Sequence, residues 1–152
     1  MKKLLSILLC LIICSMFGCK ANNQNPNGTG SVVSADTITL LDNSFVSQAN
    51  DIYKNTGNYK DKVIIVQGIY TSNTVNNKEH HYVYRKTKTP EGENTTVGFE
   101  FNYSGQMPKA NDWIEIFGNV EPSTGADGKE SVIINATRVE VMETRGLDDV
   151  PN

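Results

Sequence analysis

The chain has 152 residues, room for one domain with appendages, and its 14 Lys and Arg stand against 17 Asp and Glu for a net charge of −3. Neutralising phosphates takes clustered Lys and Arg, whereas the acidic excess here is spread along the chain, so nucleic acid is a poor candidate partner. Cys10, Cys14 and Cys19 are the only cysteines and all lie at the front, which leaves the rest of the chain to be stabilised by packing, with no disulfide and no thiolate metal site.

The front reads as an export segment. Met1-Lys2-Lys3 is basic, and Leu4 to Phe17 is an apolar stretch shorter than the about 20 residues that span a bilayer as a helix, so residues 1–18 form a secretory signal. The stretch ends in Met16-Phe17-Gly18-Cys19, which resembles the lipobox of bacterial lipoproteins. Gly18 and Cys19 match that pattern, while Met16 and Phe17 depart from its commonest choices. The resemblance implies that Cys19 becomes the first mature residue and carries a diacylglyceryl group and palmitate, anchoring the chain to the outer face of the cytoplasmic membrane. Two acyl chains suffice for stable attachment where one does not. Cys10 and Cys14 are then small apolar residues of a discarded segment. Loss of Lys2 and Lys3 leaves 12 basic against 17 acidic residues, a mature net charge of −5.

Residues 19–35 are rich in Asn, Gly, Ser and Gln, with Val32 and Val33 the only sizeable apolar groups. Such a segment cannot offset its ordering entropy and is expected to be a flexible tether reaching on the order of 20 Å. The folded domain is expected over 36–143. Thr37 to Leu41 is a short extended piece, and Asp42-Asn43-Ser44 offers three cap residues before Phe45, Val46, Ala49, Ile52 and Tyr53, an apolar stripe at helical spacing. A three-turn helix with one such stripe fits as a plug in the open end of a small barrel.

The strand that organises the domain is Lys62 to Tyr70, a nearly unbroken β-branched run with apolar residues on both alternation sets. Such a run is expected to be covered on both sides, and Gly68 within it marks a bulge or a bend. Thr71 to Glu79 reads as a polar, Asn-rich loop. His80 to Lys86 is the second strand, and Thr96 to Tyr103, with Val97, Phe99, Phe101 and Tyr103 on one face, is the third. A connector with Gly105 and Pro108 leads to a fourth strand, Trp113 to Val120. Glu121 to Lys129, with the hairpin signal Asp127-Gly128, leads to a fifth, Ser131 to Met142. Residues 144–152 are expected to be a disordered acidic tail. The fold class predicted is all-β with a short N-terminal helix.

Five strands with the longest gap between the third and fourth have the order of an oligonucleotide/oligosaccharide-binding (OB) barrel. A closer resemblance rests on Ile38 to Phe45, Tyr59-Lys60-Asp61-Lys62 with Gln67-Gly68, Gly98-Phe99-Glu100-Phe101, and Asp112-Trp113-Ile114 with Phe117-Gly118. In that order and spacing they are similar to the extracytoplasmic C-terminal domain of a family of uncharacterised bacterial integral membrane proteins, a domain also carried by stand-alone lipoproteins. Many members have paired cysteines just before the third strand. This chain has Asn94 and Thr95 there, so no thiol or metal chemistry carries over.

Catalytic patterns are not evident. Adjacent His80 and His81 point to opposite faces of a strand and cannot share one ion, no Gly-bracketed serine has a histidine in reach, and no phosphate-cradling loop is present. Glu100 and Glu115 could face each other only if the strands brought them together. Asp127, Glu130 and Glu121 do not match a calcium loop. No cofactor or metal is expected. Tyr82, Tyr84 and Arg85 on the second strand are the best candidates for a solvated ligand-binding face, since barrels of this type hold ligands on their first three strands. The functional expectation is a non-catalytic, lipid-anchored binding or accessory module; the alternatives are a structural subunit docking on an integral membrane protein and, less favoured, oligonucleotide or oligosaccharide binding.

Overall fold

The computed structural model describes residues 36–60, 62–125 and 128–152. The signal segment, Cys19, the tether, Asp61 and Asp127 lie outside the described residues. Among the described residues six strands form one sheet: β1 (Thr37–Thr39), β2 (Val63–Val75), β3 (Lys78–Lys88), β4 (Asn94–Asn102), β5 (Trp113–Thr124) and β6 (Glu130–Val141), with helix α1 (Phe45–Lys54) between β1 and β2. The sheet runs β1-β2-β3-β4-β6-β5 and closes through a β2–β5 pairing, so five strands make a barrel and β1 adds to β2 in parallel. In sequence order the barrel strands run first-second-third-fifth-fourth and back to the first, the OB arrangement.

Closure depends on β2 serving two partners. Residues Val63 to Ile69 pair with Asn119 to Trp113 of β5, and Ile69 to Val75 pair with Tyr84 to Lys78 of β3. The switch falls beside Gly68. A Cβ there would come within 2.7 Å of the Tyr84 carbonyl oxygen, so the absent side chain lets β3 cross close as β2 bends. Gly98 of β4 presses on Tyr84 from the other side, and a Cβ at Gly98 would overlap the Val83 carbonyl.

The sequence expectation of a loop over 71–79 is corrected. Strand β2 continues to Val75, and Asn76 and Asn77, at φ 51° and 62°, turn it straight into β3. Two consecutive left-handed residues make a two-residue hairpin, and asparagine tolerates that conformation better than most. The polar composition of 71–79 thus marks a solvated strand face. The expected cover of β2 on both sides holds in the main: Ile64, Val66 and Tyr70 are buried on one face and Ile69 on the other, where Val63, Ile65 and Gln67 are partly covered by neighbours such as Phe117 and Glu115.

The core joins Ile64, Val66 and Tyr70 of β2, Val83 of β3, Phe99 and Phe101 of β4, Ile114, Ile116 and Val120 of β5, and Val132 and Ile134 of β6. Helix α1 adds Phe45, Val46, Ala49 and Ile52, all buried, in keeping with the plug expected of it. Gln48 organises its start: its side-chain oxygen accepts from the Leu41 N–H at 2.9 Å and from the Ser44 hydroxyl at 2.9 Å. At the far end Tyr53 stacks on Phe99 (5.3 Å between centroids, 3° between planes) and donates its hydroxyl to the Gly98 carbonyl at 2.8 Å. That bond falls where β4 has no β6 partner, since the β4–β6 pairing covers only Glu100 to Asn102.

The tail expected to be disordered is instead packed. Its backbone runs beside β3, with the Lys86 N–H donating to the Asp148 carbonyl at 2.8 Å and the Val150 N–H to the Lys86 carbonyl at 2.9 Å. Val150 is buried, and Thr87 donates to its carbonyl. The acidic side chains point outward and hid the ordered backbone from a reading by composition. Among the described residues no helix is long and apolar enough to cross a membrane.

Candidate functional site

Alternation along β3 places His80, Tyr82 and Tyr84 on the outer face of the sheet and Val83, Arg85 and Thr87 on the other. The ladders bring Thr71 and Asn73 of β2, and Thr96, Gly98 and Glu100 of β4, to the same outer face: Thr71 pairs with Tyr82, Asn73 with His80, Tyr84 with Gly98 and Tyr82 with Glu100. A hollow of about 450 Å³ lies over this region, lined by Thr71, Asn73, Tyr82, Val83, Tyr84, Thr96, Gly98 and Phe99. Gly98 lies in the floor, packed against the backbone and Cβ of Tyr84. The two tyrosines are half-buried, so each presents part of a ring to solvent.

Every residue lining the hollow is uncharged. Beside it His80 Nδ1 and Glu100 Oε1 lie 2.7 Å apart, both largely covered. Burial, and then the charge of Glu100, push the Tyr82 hydroxyl pKa up, against a hydrogen bond with Asn73 that pulls it down. Lys86, further along β3, is 3.6 Å from Asp148 of the tail.

Arg85 is corrected: it does not join the tyrosines on a solvated face. It is 1% exposed, on the opposite side of the strand. Its Nε donates to the Gln67 carbonyl at 2.6 Å, Nη1 donates to the Leu147 carbonyl at 2.5 Å, and Nη1 lies 3.0 Å from the Asp42 carboxylate. Phe45 and Trp113 flank the guanidinium at 5.2 and 4.3 Å. Burial lowers its pKa, with Asp42 opposing. A basic residue following two tyrosines looks like a binding surface in sequence, but the period of two sends it to the other side.

The histidines part as alternation requires. His81 meets the Tyr70 hydroxyl at 2.9 Å and lies against Phe101, while His80 takes Glu100. Glu100 and Glu115 are not brought together, Glu115 accepting from the Gln67 side chain at 2.7 Å. Among the described residues no group of three or more His, Cys, Asp or Glu is placed to hold a metal ion. Sequence reasoning missed Thr96, and it missed Thr71 and Asn73 because their strand was read as a loop. Continuing the parity of β2 past Tyr70 would have found the last two.

A closed five-stranded barrel with a polar and aromatic hollow on its first three strands defines a protein of the OB class. The profile of the DUF1980 C-terminal domain matches residues 17–145, and the chain belongs to that family. No curated protein matches the chain. Among solved structures it is similar to the small single-stranded DNA-binding protein from Streptomyces coelicolor, at 14% identity and a TM-score of 0.32, over 55% of this chain and 96% of that one.

Proposed function

We propose that this DUF1980 C-terminal domain protein is a non-catalytic binding or accessory module, held on the outer face of the cytoplasmic membrane by lipid on Cys19, that engages its ligand through the hollow over Tyr82 and Tyr84. The observation that carries the binding role is the hollow itself: two partly exposed tyrosines and three polar side chains over uncharged walls, on a sheet whose other side is core. The Gly18-Cys19 pair after an apolar stretch supports the anchor, and the extracytoplasmic family resemblance agrees with it.

A second reading, a structural subunit docked on an integral membrane protein, draws on a different place. Leu41 and Leu147, 54% and 57% exposed, flank the buried Arg85 through Asp42 and the Leu147 carbonyl. A photo-crosslinking amino acid placed at position 84 or at position 147, followed by capture from solubilised membranes, separates the two. Adducts from position 84 alone support the hollow as the working surface. Adducts to one integral membrane protein from position 147 alone transfer the role to the second reading.

A further inference from the structure

We propose that the hollow takes a neutral oligosaccharide, its rings lying on Tyr82 and Tyr84 and its hydroxyls bonding Asn73, Thr71 and Thr96. This rests on the hollow being the binding surface, and three features of the site narrow the ligand to this class.

Charge comes first. No lining residue carries a formal charge, Glu100 lies beside Tyr82, and the cations next to Tyr84, Lys86 and Arg145, are both held by Asp148. A phosphate polymer or sulfated glycan would find no cation among the lining residues and would approach Glu100 beside Tyr82, against what polyanion binding needs. A neutral chain meets no such penalty.

The second feature is what the backbone can offer. Peptides that bind sheets do so by adding a strand at an edge, through main-chain hydrogen bonds. Tyr82 and Tyr84 sit mid-sheet, with β2 on one side and β4 on the other, so the main chain beneath them is already paired. Recognition must therefore come from side chains alone, by stacking and by hydroxyl and amide hydrogen bonds.

The third is spacing and chemistry. Tyr82 and Tyr84 are two residues apart on one face, about 6.7 Å along the strand, so neighbouring rings of a chain can rest on neighbouring tyrosines. The C–H faces of a sugar ring pack on an aromatic ring as other apolar groups do. Asn73, bonded to Tyr82, keeps further donor and acceptor capacity on its amide, and the threonine hydroxyls supply both roles.

The test displays the purified full chain in detergent to immobilised cellohexaose, the β-1,4-linked N-acetylglucosamine tetramer, a sulfated heparin oligosaccharide, a poly-dT oligonucleotide and a proline-rich peptide. Retention on at least one neutral glycan is expected, weakened about fivefold or more by Tyr82→Ala and by Tyr84→Ala, little changed by Tyr82→Phe, and reduced by Asn73→Leu. Thermal melting of each variant checks that it remains folded. Failure of both neutral glycans overturns the proposal. If another probe then binds and the tyrosine variants abolish it, the hollow stands and only the sugar falls; if binding of any probe ignores both tyrosine variants, the hollow falls too.

Discussion

A guanidinium that is 1% exposed persists in this barrel because every direction around Arg85 is answered: two carbonyls, one carboxylate and two aromatic faces. Its partner Asp42 is half-exposed, so losing the arginine would let the carboxylate hydrate, and the larger cost is the two orphaned carbonyls and lost packing. Arg85→Ala is expected to destabilise by about 2–3 kcal/mol in urea unfolding. Arg85→Lys is expected to recover less than half, because a point ammonium cannot serve two carbonyls and a carboxylate in a fork. Tyr53 gives a residue-scale pH prediction. Burial first, then the charge of Glu100, pushes its pKa up to about 12 from an ordinary value of 10. The folded state therefore favours the neutral phenol, an advantage fully present below pH 10 and lost as pH rises toward 12. A phenolate absorbance titration should lose its latest-ionising tyrosine in Tyr53→Phe, while the raised Tyr82 remains.

Among the elements, the C-terminal segment was the hardest to foresee. Composition marks 144–152 as acidic and polar, and disorder is the ordinary inference from that. Its order comes from backbone pairing with β3, the buried Val150 and the seat of Gly146 on Trp113, none of which has a periodic signature. Removing residues 146–152 is expected to cost about 2–3 kcal/mol, chiefly from losing the buried Val150 and uncovering Trp113. Asp148 makes the segment acid-sensitive. A hydrogen bond from Arg145 holds its carboxyl below the ordinary value, so its contribution is present above about pH 4 and lost as pH falls through the folded value. Fluorescence of Trp113, the only tryptophan, with Arg145 5.3 Å from its ring, should report the release in acid, and Asp148→Asn should flatten that change. The hairpin at Asn76-Asn77 offers the opposite sign: Asn77→Gly is expected to raise stability by roughly half a kcal/mol, because glycine holds φ near 62° without a steric cost.

For the whole molecule, the barrel supplies a rigid sheet with one face in the core and the other free to bind, while the front of the chain is proposed to set where that happens. Cys19→Ser is expected to abolish palmitate labelling and to move the protein from the membrane fraction to the medium or periplasm without changing its melting temperature. A protein that stays membrane-bound after the change would point to attachment through the second reading's membrane partner.

The strands of the barrel and its plugging helix were open to sequence reasoning because each buries one face, and burial on a period of 2 or 3.6 writes itself into residue order. Val97, Phe99 and Phe101 on β4, and Phe45, Val46, Ala49 and Ile52 on α1, are inside as that periodicity implies. Two kinds of information were missing from it. One is which polar residue is buried: Arg85 and the exposed Lys86 beside it are both cations, and only the convergence of Asp42, Gln67 and Leu147 from distant parts of the chain shows which is enclosed. The other is how far polar segments stay ordered, since 71–75 and 148–150 are held by backbone hydrogen bonds to β3 that any side chain permits. Local order follows from what a residue is; the make-up of the hollow, and the loss of Arg85 from it, follow from what the closed sheet brings beside it.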